Sequence, residues 1–400
     1  MRRLLLVALA ACSKTNPNYC AEAPLHNCSL VDASGSATDS GPDTPAGCTP
    51  ADCTGLTPVC DPSGACRACA SDADCTSGVC RADGSCTDPG AALYASPTGG
   101  GTASCTAADK CSLATAIARL DATHTVIHLD PGTYTTALGL TKDCAVVGSG
   151  AVIERGSGVV ATIGPAKTVA LEGLTLRASA TSTGVSGISI GAAAIVTLVR
   201  VEVGGTEGAG ISMVAGGSLV VSRSSVHDNV GGGLLIGSTT TSSLLDLTNT
   251  FVYQNGGSSS TQNVGGISIA GTLLTGSRID YVTVVDNAAN ANATAHSGGI
   301  VCDLSTFTIT NSILAHNAYG TDYGATSANT FGACHTSTGN VIQATLDGLA
   351  MASAAQHDYH IGAGSLAEDH AVATQITIDV DGDIRPQGSG YDSGADEYKP

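Results

Sequence analysis

Copies of a repeated segment carry polar side chains that could transfer protons. The segments LVVSRSSVHDN, LDLTNTFVYQN, RIDYVTVVDN and FTITNSILAHN align on their final asparagine. The residues directly before that asparagine form one column, which consists of Asp228, Gln254, Asp286 and His316. If the copies stack ~4.8 Å apart, Asp228 and Asp286 lie ~9 to 10 Å from each other. That separation suits the acid and base of an inverting glycosidase, with His227 beside them. The alternative is a row of solvated turn residues.

A second column of the same alignment contains two arginines. Arg200 and Arg223 are one repeat apart, so they would lie in adjacent copies. A catalytic role for these two arginines depends on a family resemblance that other segments carry. The column continues as Asn249, Tyr281 and Asn311, so the basic stripe is short. The alternative is an ordinary pair of surface charges.

Other side chains near these columns are candidates for ligand binding. Tyr253 directly precedes Gln254, and Tyr281 belongs to the arginine column. Together with His316 they could contact a sugar. The sequence contains no tryptophan, which is the usual platform for stacking a sugar ring, and this argues against an enzyme that acts on carbohydrate.

The elements that must position these residues are short strands. GISI (187–190), GISM (210–213), GLLI (233–236), GISI (266–269) and GIVC (299–302) are copies of one apolar element. The preceding segments alternate apolar and polar residues and are rich in β-branched side chains, which is typical of strands. Glycine and asparagine separate the strands, as expected at tight corners.

Repeats of this length made of strands and turns predict a β-solenoid, in which stacked coils share one narrow core. The scarcity of aromatic residues, 3% of the sequence, agrees with such a core because its rungs are too close for wide rings. The asparagines that end the repeats would form a ladder, since each amide can hydrogen-bond to the coils above and below. That structural ladder comprises Asn229, Asn255, Asn287 and Asn317.

The repeats resemble the right-handed parallel β-helix of the pectin-lyase-like superfamily. ALYASPTGGGTASCTAADKCSLATAIARL is similar to the start of that fold, a strand followed by a helix that caps the open end. The predicted helix, 107–120, places Leu113, Ala114, Ile117 and Leu120 on its capping face. Polysaccharide lyases of the superfamily use Lys or Arg to neutralise a uronate and abstract its proton, so the resemblance implies that role for Arg200 and Arg223.

The tail ITIDVDGDIRPQGSGYDSGADEY (376–398) resembles the terminal motif of the choice-of-anchor Q family of surface β-helix proteins. That family is defined by architecture and anchoring, so the resemblance implies a location rather than a reaction. DVDGD (379–383) also hints at calcium, but its glycine falls at the wrong position for a calcium loop. GISIG (187–191) matches a nucleophile-elbow pattern, yet it is one copy of a repeated strand. No cofactor is therefore expected, with calcium as the alternative.

The N-terminus has the features of an export signal. MRRLLLVALAAC combines two arginines with a short apolar run, and LAAC resembles the lipobox of bacterial lipoproteins, in which Cys12 is acylated. Ser13 follows, which by that family's sorting rule favours the outer membrane. The alternative is an ordinary cleaved signal. The net charge of −18 argues against nucleic acid as a partner.

A cysteine-rich block follows the signal and a polar tether. Its two successive four-cysteine units predict disulfides in an oxidising compartment, with the connectivity left open. Zinc or redox chemistry at Cys66-Arg-Ala-Cys69 is the alternative, but residues 48 to 86 contain no histidine. Cys105 with Cys111 and Cys302 with Cys334 are plausible pairs, and Cys144, inside the apolar DCAVVGSG, is predicted to be a buried free thiol. The eight cysteines of the block are Cys48, Cys53, Cys60, Cys66, Cys69, Cys75, Cys80 and Cys86.

These observations predict an all-β chain with a right-handed parallel β-helix, an N-terminal capping helix and a small disulfide-rich module before it. The expected function is a lipid-anchored, non-catalytic surface rod that displays or binds glycan or protein; the alternative is a polysaccharide lyase or glycoside hydrolase. The expected segments are a signal peptide at 1–11, a flexible tether at 12–47, the cysteine module at 48–88, the β-helix with its cap at 89–360 and the terminal motif at 361–400.

Overall fold

The computed structural model describes residues 48–49, 51–213, 215–237, 240–257, 265–290, 297–320 and 328–400. Residues 48–400 belong to one compact unit. The predicted signal peptide, Cys12 and the tether lie outside the described residues, as do most of the insertions that follow Asn255 and Asn287. In the described part of the chain, no helix has the length and apolar character needed to cross a membrane.

Parallel strands stack along the chain and confirm the predicted β-helix. Alternating β-branched residues favour the extended backbone, and glycines occupy many of the corners between strands. The strands of the solenoid are Ala92–Gly100, Val126–Leu129, Gly132–Tyr134, Leu138–Leu140, Cys144–Ile163, Thr168–Ile190, Ala194–Val199, Glu202–Gly204, Ile211–Met213, Gly217–His227, Leu234–Ile236, Ser242–Tyr253, Ile267–Ile269, Thr272–Leu273, Arg278–Val285, Ala288–Ala289, Ile300–Thr310, Ile313–Ala315, Ala318–Tyr319, Thr330–Thr336 and Val341–Gln343.

Each coil runs through three faces, which are numbered here in chain order. The first face includes Ala194–Val199, whose residues pair with the beginning of Gly217–His227. The second face includes Glu202–Gly204, which pairs with the end of that same strand. The third face contains the repeated apolar element, and there Ile211–Met213 pairs in register with Leu234–Ile236. The five GISI-like copies are therefore vertical neighbours on one face.

The interior of the solenoid is a single aliphatic core. Ile188, Ile211, Leu234 and Ile267 stack in it and are at most 1% exposed. Aliphatic side chains fit because adjacent rungs are only ~4.8 Å apart, which leaves little room for ring systems inside.

A short helix caps the first coil. It spans Leu113–Arg119, with Ser112 as its N-cap, and it is shorter than the predicted 107–120 because a disulfide between Cys105 and Cys111 holds the preceding segment in a loop. Leu113 and Leu120 are buried as expected, whereas Ala114 is exposed and does not belong to the capping face.

The cysteine module consists of two units with the same connectivity. In each unit the first cysteine pairs with the third and the second with the fourth, so the sequence repeat is also a structural repeat. A hairpin of Val59–Cys60 and Cys66–Arg67 and a 3₁₀ helix at Asp72–Asp74 are its regular elements, with a second 3₁₀ helix at Pro89–Ala91 after it. The bonds are Cys48–Cys60, Cys53–Cys66, Cys69–Cys80 and Cys75–Cys86.

The module packs on the outside of the first face at the N-terminal end of the solenoid. Val79 joins Tyr94 and Val147 in a small apolar cluster, and the Tyr94 hydroxyl donates to the Ser77 carbonyl. Arg81 forms an ion pair with Glu172, a mostly buried side chain of the first face.

The remaining cysteines of the described residues are arranged as the sequence predicts. Cys302 is bonded to Cys334 on the neighbouring coil, and Cys144 is free and buried. Burial and the charge of Asp143 raise the pKa of the Cys144 thiol to about 11, so this thiol is protonated at neutral pH.

The C-terminal segment, residues 345–400, does not add further coils. It contains a hairpin of Met351–Ser353 and Asp358–Ile361 around a 3₁₀ helix at Ala354–Gln356, and it lies on the outside of the second face. A second apolar core forms between them, with Phe251, Val285 and Ile313 contributed by the solenoid and Tyr359, Ile361 and Ala395 by the segment.

Candidate functional site

Both predicted columns lie at bends where the backbone is left-handed. Arg200 has a φ of 55° and Asp228 a φ of 54°, although this region disfavours side chains other than glycine. The arginine column separates the first face from the second, and the aspartate column separates the second from the third. The full columns are Gly173, Arg200, Arg223, Asn249, Tyr281 and Asn311, and Gly205, Asp228, Gln254, Asp286 and His316.

Most of the arginine column binds the C-terminal segment. The Asn311 side-chain oxygen accepts from the Val372 amide at 2.8 Å, and the Tyr281 hydroxyl donates to the Val372 carbonyl at 3.1 Å. Asn249 donates to the Ile378 carbonyl at 2.8 Å, one coil nearer the N-terminus. The segment therefore runs back along the solenoid, from its last coils toward its middle.

Arg223 is the last member of the column that holds this segment. Its Nε donates to the Val380 carbonyl at 3.2 Å, and its Nη2 donates to the Asp381 carbonyl at 2.6 Å. Tyr281 is completely buried, with the Arg385 guanidinium 4.4 Å above its ring. Tyr281 is therefore no open sugar-binding platform, which corrects the sequence-based expectation for this residue.

The C-terminal segment also covers much of the aspartate column. The Asp286 carboxylate interacts with the His316 imidazole through one oxygen and accepts from the Tyr359 hydroxyl through the other. One coil nearer the N-terminus, Gln254 contacts His357 at 2.7 Å. Both oxygens of Asp286 have partners, and the contact between Gln254 and His357 lies between Asp286 and Asp228. The two aspartates therefore do not face a common open groove. The expectation of a hydrolase pair at these positions is not supported by this geometry.

The uncovered coils of the second face present a compact charged group. His227 lies between two carboxylates, with Nδ1 at 2.8 Å from Asp228 and Nε2 at 3.1 Å from Glu202. The imidazole is stacked on the Tyr253 ring, with the ring centres 4.7 Å apart and the planes 3° from parallel. Gly204 makes room for it, since a Cβ at that position would be 2.7 Å from the imidazole Cε1.

The protonation states of this group follow from its contacts. Burial alone would lower the pKa of His227, but the hydrogen bonds and charges of Asp228 and Glu202 raise it to about 9. The hydrogen bond to His227 lowers the pKa of Glu202 below its usual value. At neutral pH the group is therefore an imidazolium between carboxylates.

A cleft opens where the C-terminal segment ends its course over the second face. Its volume is about 390 Å³. The Arg200 side chain is exposed, and its guanidinium forms no hydrogen bond or ion pair with the residues that the structure describes. The cleft thus contains the unpaired guanidinium of Arg200 beside that of Arg223, which binds two carbonyls of the C-terminal segment. It also contains the carboxylates of Glu202 and Asp381 and the imidazole of His360. Its polar lining is Arg200, Glu202, Arg223, Ser224, Ser225, His360 and Asp381.

The same two arginines border a second cleft of about 880 Å³ between the cysteine module and the first face. It is lined by residues 68–73 and 80–84 of the module and by Val147 to Gly150 of the solenoid. Arg200 and Arg223 therefore stand at the corner that joins a cleft on the first face to a cleft on the second.

The asparagines form a continuous hydrogen-bonded ladder inside the corner between the second and third faces. Asn229 donates to the Asn255 side-chain oxygen at 2.9 Å, Asn255 to Asn287 at 2.9 Å, and Asn287 to Asn317 at 3.0 Å. Thr206 bonds to the first asparagine, and Asn329 accepts from the last at 2.7 Å. All four repeat asparagines are at most 1% exposed, so they stabilise the fold and do not reach solvent.

Two short motifs from the sequence have structural explanations. In DVDGD, the Asp379 Oδ1 accepts the backbone amides of Asp381, Gly382 and Asp383, and its Oδ2 accepts the Glu397 amide at 3.1 Å. Asp379 therefore has its oxygens directed at amides and not at a calcium ion. In GISIG, Ser189 lies within a long strand that pairs with Ser212, and no helix follows, so there is no nucleophile elbow.

Several residues of the cleft were not identified from the sequence. Glu202 and Gly204 stand one repeat before Ser225 and His227, so extending the alignment backwards by one copy would have found them. His360 and Asp381 come from the C-terminal segment, whose course over the second face has no signal in the repeat pattern.

No family model matches this sequence, and no curated protein matches it. Among solved structures, the chain is similar to the crystal structure of pectate lyase Pel9A, with 16% sequence identity and a TM-score of 0.43. The match covers 77% of this chain and 96% of that one. The likeness is one of fold and is not carried over to chemistry.

Proposed function

We propose that this protein is an exported, lipid-anchored surface protein whose solenoid binds an acidic, uronate-containing polysaccharide without cleaving it. The observation that carries the proposal is the unpaired guanidinium of Arg200 in the 390 Å³ cleft beside Arg223. Arginine presents two parallel N–H donors that match a carboxylate. The serine hydroxyls and carboxylates of the same cleft can bond to sugar hydroxyls.

The local charge matters here because the chain as a whole is acidic, with a net charge of −18. A long acidic polymer is repelled by such a surface except where a basic patch overrides the field. Arg200 and Arg223 supply that patch at the corner between the two clefts. Binding is therefore expected to be local, and sensitive to the loss of a single charge.

Export is supported by the use of cysteine. Among the described residues, the cysteines form six disulfides and one buried thiol. Disulfides in such number persist in oxidising compartments. With the arginine-led apolar N-terminus and Cys12 after LAA, this favours a lipoprotein at the outer membrane or cell surface, displayed on a tether.

A polysaccharide lyase is the second candidate. Burial and the nearby charge of Arg200 lower the pKa of Arg223, a change in the direction that a proton-abstracting base requires. Against this role, Arg223 already donates from Nε and Nη2 to backbone carbonyls. His227 is protonated at neutral pH and is therefore no free base, and the Glu202 carboxylate is bound to its imidazolium. Binding without turnover is therefore the preferred function.

Titration calorimetry of the full chain in detergent, with polygalacturonate and a neutral glucan, tests the proposal. We expect binding of the acidic polymer and little of the neutral one. The variant Arg200→Gly should weaken binding about 10-fold or more, since a hydrogen bond to a charged group contributes about 1.5–3 kcal/mol. Gly173 occupies the same bend one coil earlier, so glycine fits the backbone there.

Arg278→Gln is the matched control, because Arg278 is paired with Asp246 and does not line the cleft. Equal affinity of wild type and Arg200→Gly would refute the proposed site. The same incubations are assayed for new reducing ends and unsaturated uronates. If these products form with the wild type and not with Arg223→Ala, the protein is a lyase and not a binding protein.

Labelling with a fatty-acid analogue tests the anchor. A bacterial host that expresses the chain should incorporate the label into wild type and into Cys28→Ser, but not into Cys12→Ser. Label that persists in Cys12→Ser, or unlabelled wild type, would exclude acylation at this cysteine.

A further inference from the structure

An imidazole and two carboxylates meet in the C-terminal segment beside the cleft. One ligand-type atom from each of His360, Asp381 and Asp396 lies within 4.8 Å of the others. The three residues come from separate stretches of chain: the strand Asp358–Ile361, the turn at 379–383 and the tail. The fold thus brings together side chains that are distant in sequence.

The imidazole of His360 is oriented by a carboxylate on its other side. Its Nδ1 lies 2.5 Å from the Asp358 Oδ1, and its Nε2 faces the Asp381 Oδ2 at 3.2 Å. A carboxylate that accepts from one ring nitrogen fixes the tautomer and directs the lone pair of the other nitrogen outward, as at many metal-binding histidines.

One of the three distances between the ligand atoms agrees with tetrahedral coordination. Metal–ligand bonds of ~2.0 to 2.1 Å at tetrahedral angles put neighbouring ligand atoms about 3.3 Å apart. The His360 to Asp381 distance of 3.2 Å is close to this value.

Asp396 provides an independent observation. Its side chain is in the interior, with the residue only 7% exposed, and it forms no ion pair with any described lysine or arginine. Its Oδ2 accepts the Ile361 amide at 2.8 Å, whereas its Oδ1 accepts no hydrogen bond from the described residues. A carboxylate that is mostly withdrawn from water and has no Lys or Arg partner among the described residues is stabilised by a nearby cation.

We propose that His360, Asp381 and Asp396 bind a divalent transition-metal ion of the Zn(II) type. The imidazole ligand selects against Ca²⁺ and Mg²⁺, which prefer oxygen ligands only. Three protein ligands leave one coordination position for an exchangeable ligand, and the site borders the cleft because His360 and Asp381 line it. This site does not depend on the proposed glycan binding.

Other groups of side chains in the described residues that contain metal-binding atoms are not available as metal sites. Two cysteine sets lie in the module, but all of their sulfurs are in disulfides. Asp379 directs its oxygens at backbone amides. Asp381 is therefore the residue of DVDGD that is available as a metal ligand.

Titration of the full chain with Zn(II), followed by calorimetry, and with Co(II), followed by visible absorption, tests the site. Free thiols are alkylated first so that cysteines cannot contribute. We expect one tightly bound equivalent and a Co(II) spectrum of tetrahedral intensity. Asp381→Asn and Asp396→Asn should each weaken binding by at least about 10-fold.

His124→Gln is the control, because His124 and Asp121 form a similar but exposed pair away from the site. The Asp381 side chain is 60% exposed, so Asp381→Asn is expected to fold even if Asp396→Asn does not. Absence of stoichiometric binding by the wild type, or Zn(II) affinity unchanged in Asp381→Asn, would overturn the proposal.

Discussion

At the scale of single residues, the asparagine ladder explains why the repeats end as they do. Each amide accepts from the coil before it and donates to the coil after it. Asn255, for example, accepts from Asn229 and donates to Asn287 and to the Val226 carbonyl. Such a buried polar chain is stable only when every member is satisfied. Replacing one member leaves its neighbours without partners.

We predict that Asn255→Ala destabilises the protein by at least about 3 kcal/mol, because several buried groups lose their partner at about 1–3 kcal/mol each. Thr206→Val, at the end of the ladder, should cost about 1 kcal/mol, since it removes one hydroxyl. Urea unfolding of both variants measures the difference. Equal losses would show that the ladder does not act as a connected network.

His227 is predicted to make stability depend on pH. Its pKa is raised from 6.5 to about 9 in the folded protein, so its contribution is complete below pH 6.5 and is lost as pH rises through about 9. The free energy of unfolding should therefore fall over this interval. His227→Gln should flatten the slope. An unchanged slope in the variant would contradict the charge assignment.

At the scale of elements, the bends between faces decide where side chains can project. A left-handed residue turns the strand sharply between two faces. Residues other than glycine are tolerated there when their side chains gain contacts, as those of Arg223 and Asn249 do by binding the C-terminal segment. Arg200 has no such partner among the described residues.

Two substitutions in one bend column should therefore have opposite effects. Arg200→Gly removes an unfavourable backbone conformation and is expected to be neutral or stabilising, by up to about 1 kcal/mol. Gly173→Ala should destabilise strongly, because its Cβ would lie 2.0 Å from the Gly148 carbonyl oxygen. Thermal unfolding of the two variants checks the pair. Strong destabilisation by Arg200→Gly would reveal a structural role for this arginine.

At the scale of the whole molecule, two segments pack on the outer surface of the solenoid. The cysteine module covers the start of the first face, and the C-terminal segment covers the end of the second. The clefts lie where the two segments leave the corner open. The position of the clefts therefore depends on how far the cysteine module and the C-terminal segment extend over the solenoid.

The anchor of the C-terminal segment is a buried ion pair. Arg385 and Glu397 have fully buried side chains 2.9 Å apart, and Arg385 also donates to the carbonyls of Asp392, Gly394 and Ala395. Removing one partner leaves an uncompensated charge, which typically costs about 3–5 kcal/mol.

We predict that Arg385→Met destabilises the segment by this amount and increases binding of a hydrophobic dye to the uncovered second face. The double variant Arg385→Met/Glu397→Met should recover part of the loss, because no charge then remains unpaired. Lys399→Gln, which removes an exposed pair with Asp383, is the control and should change stability by less than about 1 kcal/mol. Arg385→Met with wild-type stability would contradict the anchoring role.

The solenoid could be predicted because each coil repeats one local pattern. Strand alternation, corner glycines and the terminal asparagines are short-range features, and stacking places residues of equal repeat position in register. The two columns were correctly aligned for the same reason. Their exposure could not be predicted, since Tyr281 and Asp286 are covered by residues about 90 and 73 positions later in the chain.

Thus the sequence by itself determined the coil, its core and the hydrogen-bonded ladder, because these depend on contacts between neighbouring repeats. Only the tertiary structure decided which parts of the columns are open. The C-terminal segment is not part of the repeat, so its position cannot be inferred from the repeat alignment. It depends on long-range contacts with Arg223, Asn249 and Asn311. For the same physical reason, the grouping of His360, Asp381 and Asp396 beside the cleft becomes visible only in three dimensions.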